Sequence, residues 1–279
     1  MPVVFNQDDV PAAPAGRNAS VQPLLDTATT GSDNVRLVRW TLENDGAMAI
    51  EVRRPDLAWL QILTGTTSLA GPAGAAVLSD VHLALLPPGF SGRIESAAGA
   101  VVLYAEVPEA ARFDAAFAER PPRFRAIDWT REPVLDAEHD ARKRIYMVTP
   151  KMFGTRAIAG EMIIYPPGTE AANHHHEGAE HFQFVLSGRG TVFCNEVAHA
   201  LRAGDVVYNY PHERHYFRCE GDEDFVFVEF FVPGIFKTVW ADDAPVCTWL
   251  PSGRNIEGGA PVREIAAHSS ADFDSPHDV

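Results

Sequence analysis

The chain has 279 residues, 46% of them apolar and 22% charged, which suits one large or two ordinary globular domains with an ample core. Lys and Arg total 23 against 38 Asp and Glu, a formal net charge of −15; a field of that sign repels phosphate backbones and argues against nucleic acid as a partner. No apolar run approaches membrane-spanning length, and the stretch 1–19, with Asn6, Asp8, Asp9 and three prolines, lacks the apolar region of a signal peptide.

Along the chain, helical periodicity is scarce. One short helix is predicted over 108–119, where Phe113 and Phe117 stand four residues apart. Elsewhere short apolar or alternating runs are punctuated by Gly, Pro, Asn and Asp. They predict strands over 35–42, 47–52, 57–63, 82–86, 101–106, 161–165, 181–186, 191–194, 205–208, 215–218 and 225–232. Many short strands at this spacing give an all-β sandwich or barrel. A faint internal repeat runs through them. Trp59-Leu-Gln-Ile-Leu-Thr-Gly65 parallels Phe182-Gln-Phe-Val-Leu-Ser-Gly188, and 83–89 parallels 206–211; in both copies an apolar strand meets a Gly turn and a second strand ends at proline. The segment 120–125, Arg-Pro-Pro-Arg-Phe-Arg, reads as the linker between copies. The stretch after Pro251 is expected to be an extended, partly disordered tail, with His268 and His277 solvated. Cys194, Cys219 and Cys247 form no CxxC pair, which fits a reducing cytosol and a cytoplasmic protein better than a disulfide framework.

The chemistry sits in two short segments, His174-His175-His176-Glu177-Gly178-Ala179-Glu180-His181 and Pro211-His212-Glu213-Arg214-His215. Imidazole is the commonest protein ligand for transition metals. On a strand, positions i and i+2 share a face, so His174 and His176 can converge on one point while His175 turns away. The next donor is either Glu180 or His181. If His181 points inward, so do Gln183, Val185 and Ser187, and Phe182, Phe184 and Leu186 pack on the other face. If Glu180 points inward, those three apolar side chains line the pocket instead. Periodicity alone leaves both open.

Gly168-x5-His174-x-His176-x4-His181-x6-Gly188 resembles the first motif of the cupin superfamily, G-x5-H-x-H-x3,4-E-x6-G. Gly204-Asp-Val-Val-Tyr-Asn-Tyr-Pro211-x3-His215 is similar to the second. Counting back from Gly188 puts His181 where the family has glutamate. The resemblance therefore implies His174, His176, His181 and His215 as metal ligands. It implies two tandem cupin barrels, that is double-stranded β-helix or jelly-roll barrels. The first, 1–122, is degenerate and lacks ligands; the second, 123–279, binds metal and carries an extended tail from about 252. His82, near the corresponding loop of the first copy, reads as a surface or packing residue.

Four neutral imidazoles leave a divalent ion uncompensated. Imidazole suits Fe2+, Zn2+, Cu2+ and Ni2+ and, less strongly, Mn2+. Two remaining positions on an octahedral ion would take a bidentate small-molecule substrate, or one substrate atom and O2. The leading expectation is a non-haem iron dioxygenase, an oxidoreductase acting on a small enolisable or phenolic compound. The alternatives are a zinc or manganese cyclase, isomerase, lyase or decarboxylase, and a non-catalytic small-molecule-binding protein. A homodimer is allowed. Gln183 is a candidate to hydrogen-bond a ligand or substrate. Glu229, the one charge in Phe225-Val-Phe-Val-Glu229-Phe-Phe231, is a candidate general base, or a carboxylate that orients a ligand or pairs with an arginine. Tyr208, Tyr210 and Phe217 are expected to line the pocket, and Glu180 to face away.

Overall fold

The computed structural model describes residues 2–266, 268 and 279. Strand β1 (Val3–Asn6) comes first. Then follow β2 (Ala13–Pro14), β3 (Arg17–Leu25), β4 (Arg36–Glu51), β5 (Leu57–Gly71), β6 (Gly74–Ser79), β7 (His82–Leu86), β8 (Ser91–Val107) and β9 (Arg125–Asp128). The second half holds β10 (Val134–Ala137), β11 (Lys143–Val148), β12 (Ala159–Tyr165), β13 (His174–Glu177), β14 (Glu180–Ser187), β15 (Arg189–Cys194), β16 (Val197–Arg202), β17 (Asp205–Asn209), β18 (His215–Cys219), β19 (Phe225–Val232), β20 (Lys237–Trp240) and β21 (Trp249–Pro251). Among the described residues no helix is long and apolar enough to cross a membrane.

The chain folds into two compact units. One comprises Gln7–Trp129 and Phe153–Ala157; the other comprises Met1–Asn6, Thr130–Met152 and Ile158–Val279. The division differs from a cut at 122/123. It falls after Trp129, and each unit borrows a short segment from the other half of the sequence.

The first unit is one sheet in the order β2-β3-β4-β8-β5-β7-β9, with β6 on β5. It encloses an apolar core that includes Trp40, Leu42, Ile50, Leu60, Ile62, Phe90 and Val102. The second unit has an eight-stranded sheet, β1-β17-β14-β19-β12-β11-β10-β21, and a five-stranded sheet, β16-β15-β18-β13-β20. Ile163 and Phe227 of the large sheet share a core with Val192, Leu201 and Phe217 of the small one, so the sheets pack face to face as a jelly roll.

The internal repeat is structural. Gly65 and Gly188 have φ of 83° and 76°, and a Cβ on either would collide with a backbone oxygen of the neighbouring segment, Gly99 in one unit and Asp224 in the other. Strands β5 and β14 also break register at the same place, between Ile62 and Thr64 and between Val185 and Ser187.

Two expectations fail. The helix predicted over 108–119 is a three-residue 3-10 turn, Ala110–Arg112, followed by further turns. Glu109 takes φ 48°, and the Asp114 carboxylate accepts from Ala116 N (3.0 Å) and Arg156 N (2.9 Å), so it serves a loop. The i, i+4 phenylalanines reflected burial of Phe117, not a helix. The segment after Pro251 is mostly exposed and has no helix or strand up to 266, but it is tied down rather than free. Val134 N donates to Arg254 O and Val262 N to Arg131 O, both at 2.9 Å, and Ile265 joins a core with Leu135, Tyr146 and Trp249. His268 is not a solvated histidine. Its Nε2 lies 2.7 Å from the Tyr146 hydroxyl, and burial pushes its pKa down to about 4. His277 lies outside the described residues.

Candidate metal centre

Strand phase delivers the histidines. β13 pairs with β18 through His174↔His215 and with β20 through His176↔Thr238. β14 lies between β17 and β19, with His181 opposite Asn209 and Phe231. His181, Gln183 and Val185 face inward, and Phe182 stacks on Phe230 on the other face at 5.6 Å. Glu180 accepts from the Tyr208 hydroxyl at 2.5 Å, on the face away from the histidines. The phase question is thereby answered in favour of His181 pointing inward.

The four imidazoles are neighbours. Ring centroids are 4.5 Å apart for His174–His215, 4.9 Å for His174–His176, 4.8 Å for His176–His181 and 4.7 Å for His181–His215. His181 Nε2 and His215 Nε2 are 3.2 Å apart. Potential ligand atoms fall in two overlapping trios, His174/His176/His215 and His176/His181/Glu229, each within 4.8 Å of one another.

Tautomers follow from the outer nitrogens. His174 Nδ1 is 2.8 Å from Ala172 O and His215 Nδ1 is 2.9 Å from Glu213 O. A carbonyl only accepts, so both Nδ1 atoms carry the proton and both Nε2 atoms present lone pairs to the centre. His176 Nδ1 meets Thr238 Oγ1 at 3.1 Å. Burial, reinforced by histidine neighbours, pushes His174, His176 and His181 well below their ordinary pKa; burial takes His215 to about 4. All four are thus held neutral, the form that binds a metal. Inward lone pairs packed this closely, with His181 Nδ1 buried and lacking a hydrogen-bond partner, fit a cation at their focus.

A polar row adjoins them. Tyr146, Glu161, Glu229 and Gln183 lie side by side across β11, β12, β19 and β14. Directly opposite residues share a face. Gln183 Nε2 donates to Glu229 Oε1, and Asn209 Nδ2 donates to Gln183 Oε1 at 3.1 Å, which fixes the amide. Glu229 Oε1 is 3.6 Å from His181 Nε2. Burial first, and then the charge on Glu161, push the Glu229 pKa well up; the Gln183 bond and Arg144 oppose them. Arg144 Nε lies 3.3 Å from Glu161 Oε2, and Arg142 holds Asp140 at 2.7 Å.

Arg142, Arg144, Glu161, Tyr165 and Glu229 line one cavity with His174, His176 and His215, between walls of Phe217, Phe227, Phe231, Phe236, Trp240 and Trp249. Phe217 is where the sequence put it. Tyr208 and Tyr210 are not: Asn209 faces inward to Gln183, so its neighbours on β17 and beyond face outward. His175 turns away, 3.5 Å from Glu177 and with its ring 5.6 Å from that of exposed His212. Sequence reasoning missed Arg142, Arg144 and Glu161. Glu161 carried the signal that marked Glu229, one charge in an apolar run.

Residues 161–231 match the family model of the cupin domain. No curated protein sequence matches the chain. Among solved structures, the protein Ylba from E. coli is similar with a TM-score of 0.67 at 12% identity, over 83% of this chain and 90% of that one. A Bacillus subtilis oxalate decarboxylase structure concerned with its Mn(II) centres gives 0.68 at 16% identity, over 85% and 79%. The same enzyme at pH 4.6 gives 0.67 at 16%, over 85% and 78%. Taken with the histidine motifs and the jelly roll, residues 161–231 are a cupin domain, and the chain shares the fold of these solved structures.

Proposed function

We propose that this chain is a metal-dependent enzyme in which His174, His176, His181 and His215 hold one divalent transition metal. A small organic anion binds beside it, against Arg142 and Arg144. The observation that carries the reading is the pair of backbone carbonyls at His174 and His215, which aim both Nε2 lone pairs at one point. The bound ion would supply Lewis-acid polarisation of a substrate oxygen and lower the pKa of a coordinated hydroxyl. Two buried guanidiniums favour a carboxylate, enolate or phenolate over a neutral molecule. Aromatic walls exclude water and orient a planar substrate.

The finer reading is an iron(II) dioxygenase for a small enolisable or phenolic compound. A second reading is a manganese or zinc lyase or decarboxylase, which the likeness to a manganese-containing decarboxylase supports. Metal analysis with oxygen uptake separates them. One ion per chain is expected, and after ferrous reconstitution the protein should consume O2 with a panel of catechols and β-diketones. A protein that carries only zinc or manganese and stays inert to O2 after reconstitution removes the dioxygenase reading. Carbon dioxide release from small carboxylates under Mn2+ supports the second.

A further inference from the structure

We infer that Glu229 is a fifth donor to the metal, supplying from β19 the negative charge that four neutral imidazoles lack. The inference rests on the metal reading above.

Four arguments converge. Glu229 belongs to a donor trio with His176 and His181 whose ligand atoms all lie within 4.8 Å of one another. Its Oε1 is 3.6 Å from His181 Nε2, close to the 3.2 Å that separates His181 Nε2 from His215 Nε2. Register puts it on the inner face: Glu229 stands opposite Gln183, two residues along the strand from His181. Finally, Glu229 is 7% exposed, and a buried ionised carboxylate is costly unless a positive charge compensates it.

Arg144 Nε faces Glu161, the carboxylate one strand further from the histidines. Gln183 can only donate to Glu229, because its carbonyl is taken by Asn209 Nδ2. The amide therefore holds Glu229 Oε1, the same oxygen that lies 3.6 Å from His181 Nε2. Donor and charge come from β19 facing β14, so a reading along the first histidine segment alone misses them. With Glu229 bound, a divalent ion keeps a net charge of +1 in place of +2. That moderates its pull on an anionic ligand and raises its own affinity for the protein.

The test is cobalt binding to the full chain, read by chelator competition and by Co2+ visible absorption. Wild type should bind one Co2+. Loss of a residue that merely orients a ligand costs about 10–100-fold in metal affinity; Glu229→Gln should cost about 100-fold or more and alter the absorption bands. The double variant His181→Glu, Glu229→Gln moves the carboxylate across the 3.6 Å gap and should recover most of the affinity lost by Glu229→Gln. Circular dichroism checks folding in each case. Should Glu229→Gln fail to fold, Glu229→Asp replaces it, keeping the charge but drawing it back; weakened Co2+ binding with altered bands is then expected. Wild-type affinity with unchanged bands in the position-229 variant overturns the inference, as does a double variant no better than the single. A wild-type chain that binds no Co2+, Mn2+, Fe2+ or Zn2+ overturns the underlying metal reading instead.

Discussion

The two units share one strand plan and differ in what it encloses. Matching Gly65 with Gly188 sets Ala58 against His181, Leu60 against Gln183 and Leu86 against Asn209. Pairing across the sheet sets Tyr104 against Glu229, since Leu60 faces Tyr104 as Gln183 faces Glu229. Each of these four polar groups thus has an apolar or aromatic counterpart in the first unit, where Trp40 stacks on Tyr104 at 4.3 Å. A barrel of this kind is stable with its centre filled by side chains. The polar centre of the second unit is therefore not required by the fold, and each of its buried donors and acceptors must be accounted for by a partner or a ligand.

The comparison can be broken at its strongest point first. His176→Ala should lower metal affinity by more than about 100-fold, beyond the loss expected for an outer residue, while Ala58→His should create no site, since Leu60, Leu86 and Tyr104 around it offer nothing comparable. Metal analysis after gel filtration checks both; metal gained by Ala58→His would show that the first barrel is closer to a site than its core implies. Next in size is packing. Leu60→Ala should cost about 2–5 kcal/mol by denaturant unfolding with metal content unchanged. Its counterpart Gln183→Leu leaves Asn209 and Glu229 short of a partner and should cost about 1–3 kcal/mol. Chelation should then act on one unit only. With metal at 100 times its Kd, binding is worth about 2.7 kcal/mol, so EDTA should reduce hydrogen-exchange protection in β13, β14 and β18 and leave β4, β5 and β8 unaltered. The smallest effect tests strand phase. Tyr208→Phe removes the bond to Glu180, should cost about 0.5–1.5 kcal/mol, and should leave metal content intact; lost metal would put Glu180 in the site.

Legibility followed the physics of each signal. The histidines were readable because i, i+2 spacing and the turn glycine at 188 are local. Inward-facing Gln183 followed from His181 by parity. Arg142, Arg144 and Glu161 reach the site through strand pairing of β11, β12 and β19, a nonlocal fact that periodicity does not carry. Tyr208 and Tyr210 leave the pocket because alternation along β17 turns the neighbours of inward-facing Asn209 outward. The helix at 108–119 failed where Asp114 offered its neighbours a turn.

Strand β1 bears on how the protein is made. Val3–Asn6 pairs with β17, Val3 against Tyr208 and Asn6 against Asp205, and Asn6 Nδ2 donates to Asp205 Oδ1 at 2.6 Å. Its partner is about 200 residues away, so at 5–20 residues per second the strand waits roughly 10–40 s for it during translation. The first unit can form around Gln7–Trp129 in that interval, apart from Phe153–Ala157. Strand β1 is then placed only after the whole of the first unit has been made. A break in the chain near Gln7 would leave the edge of β17 open to any other strand that can reach it.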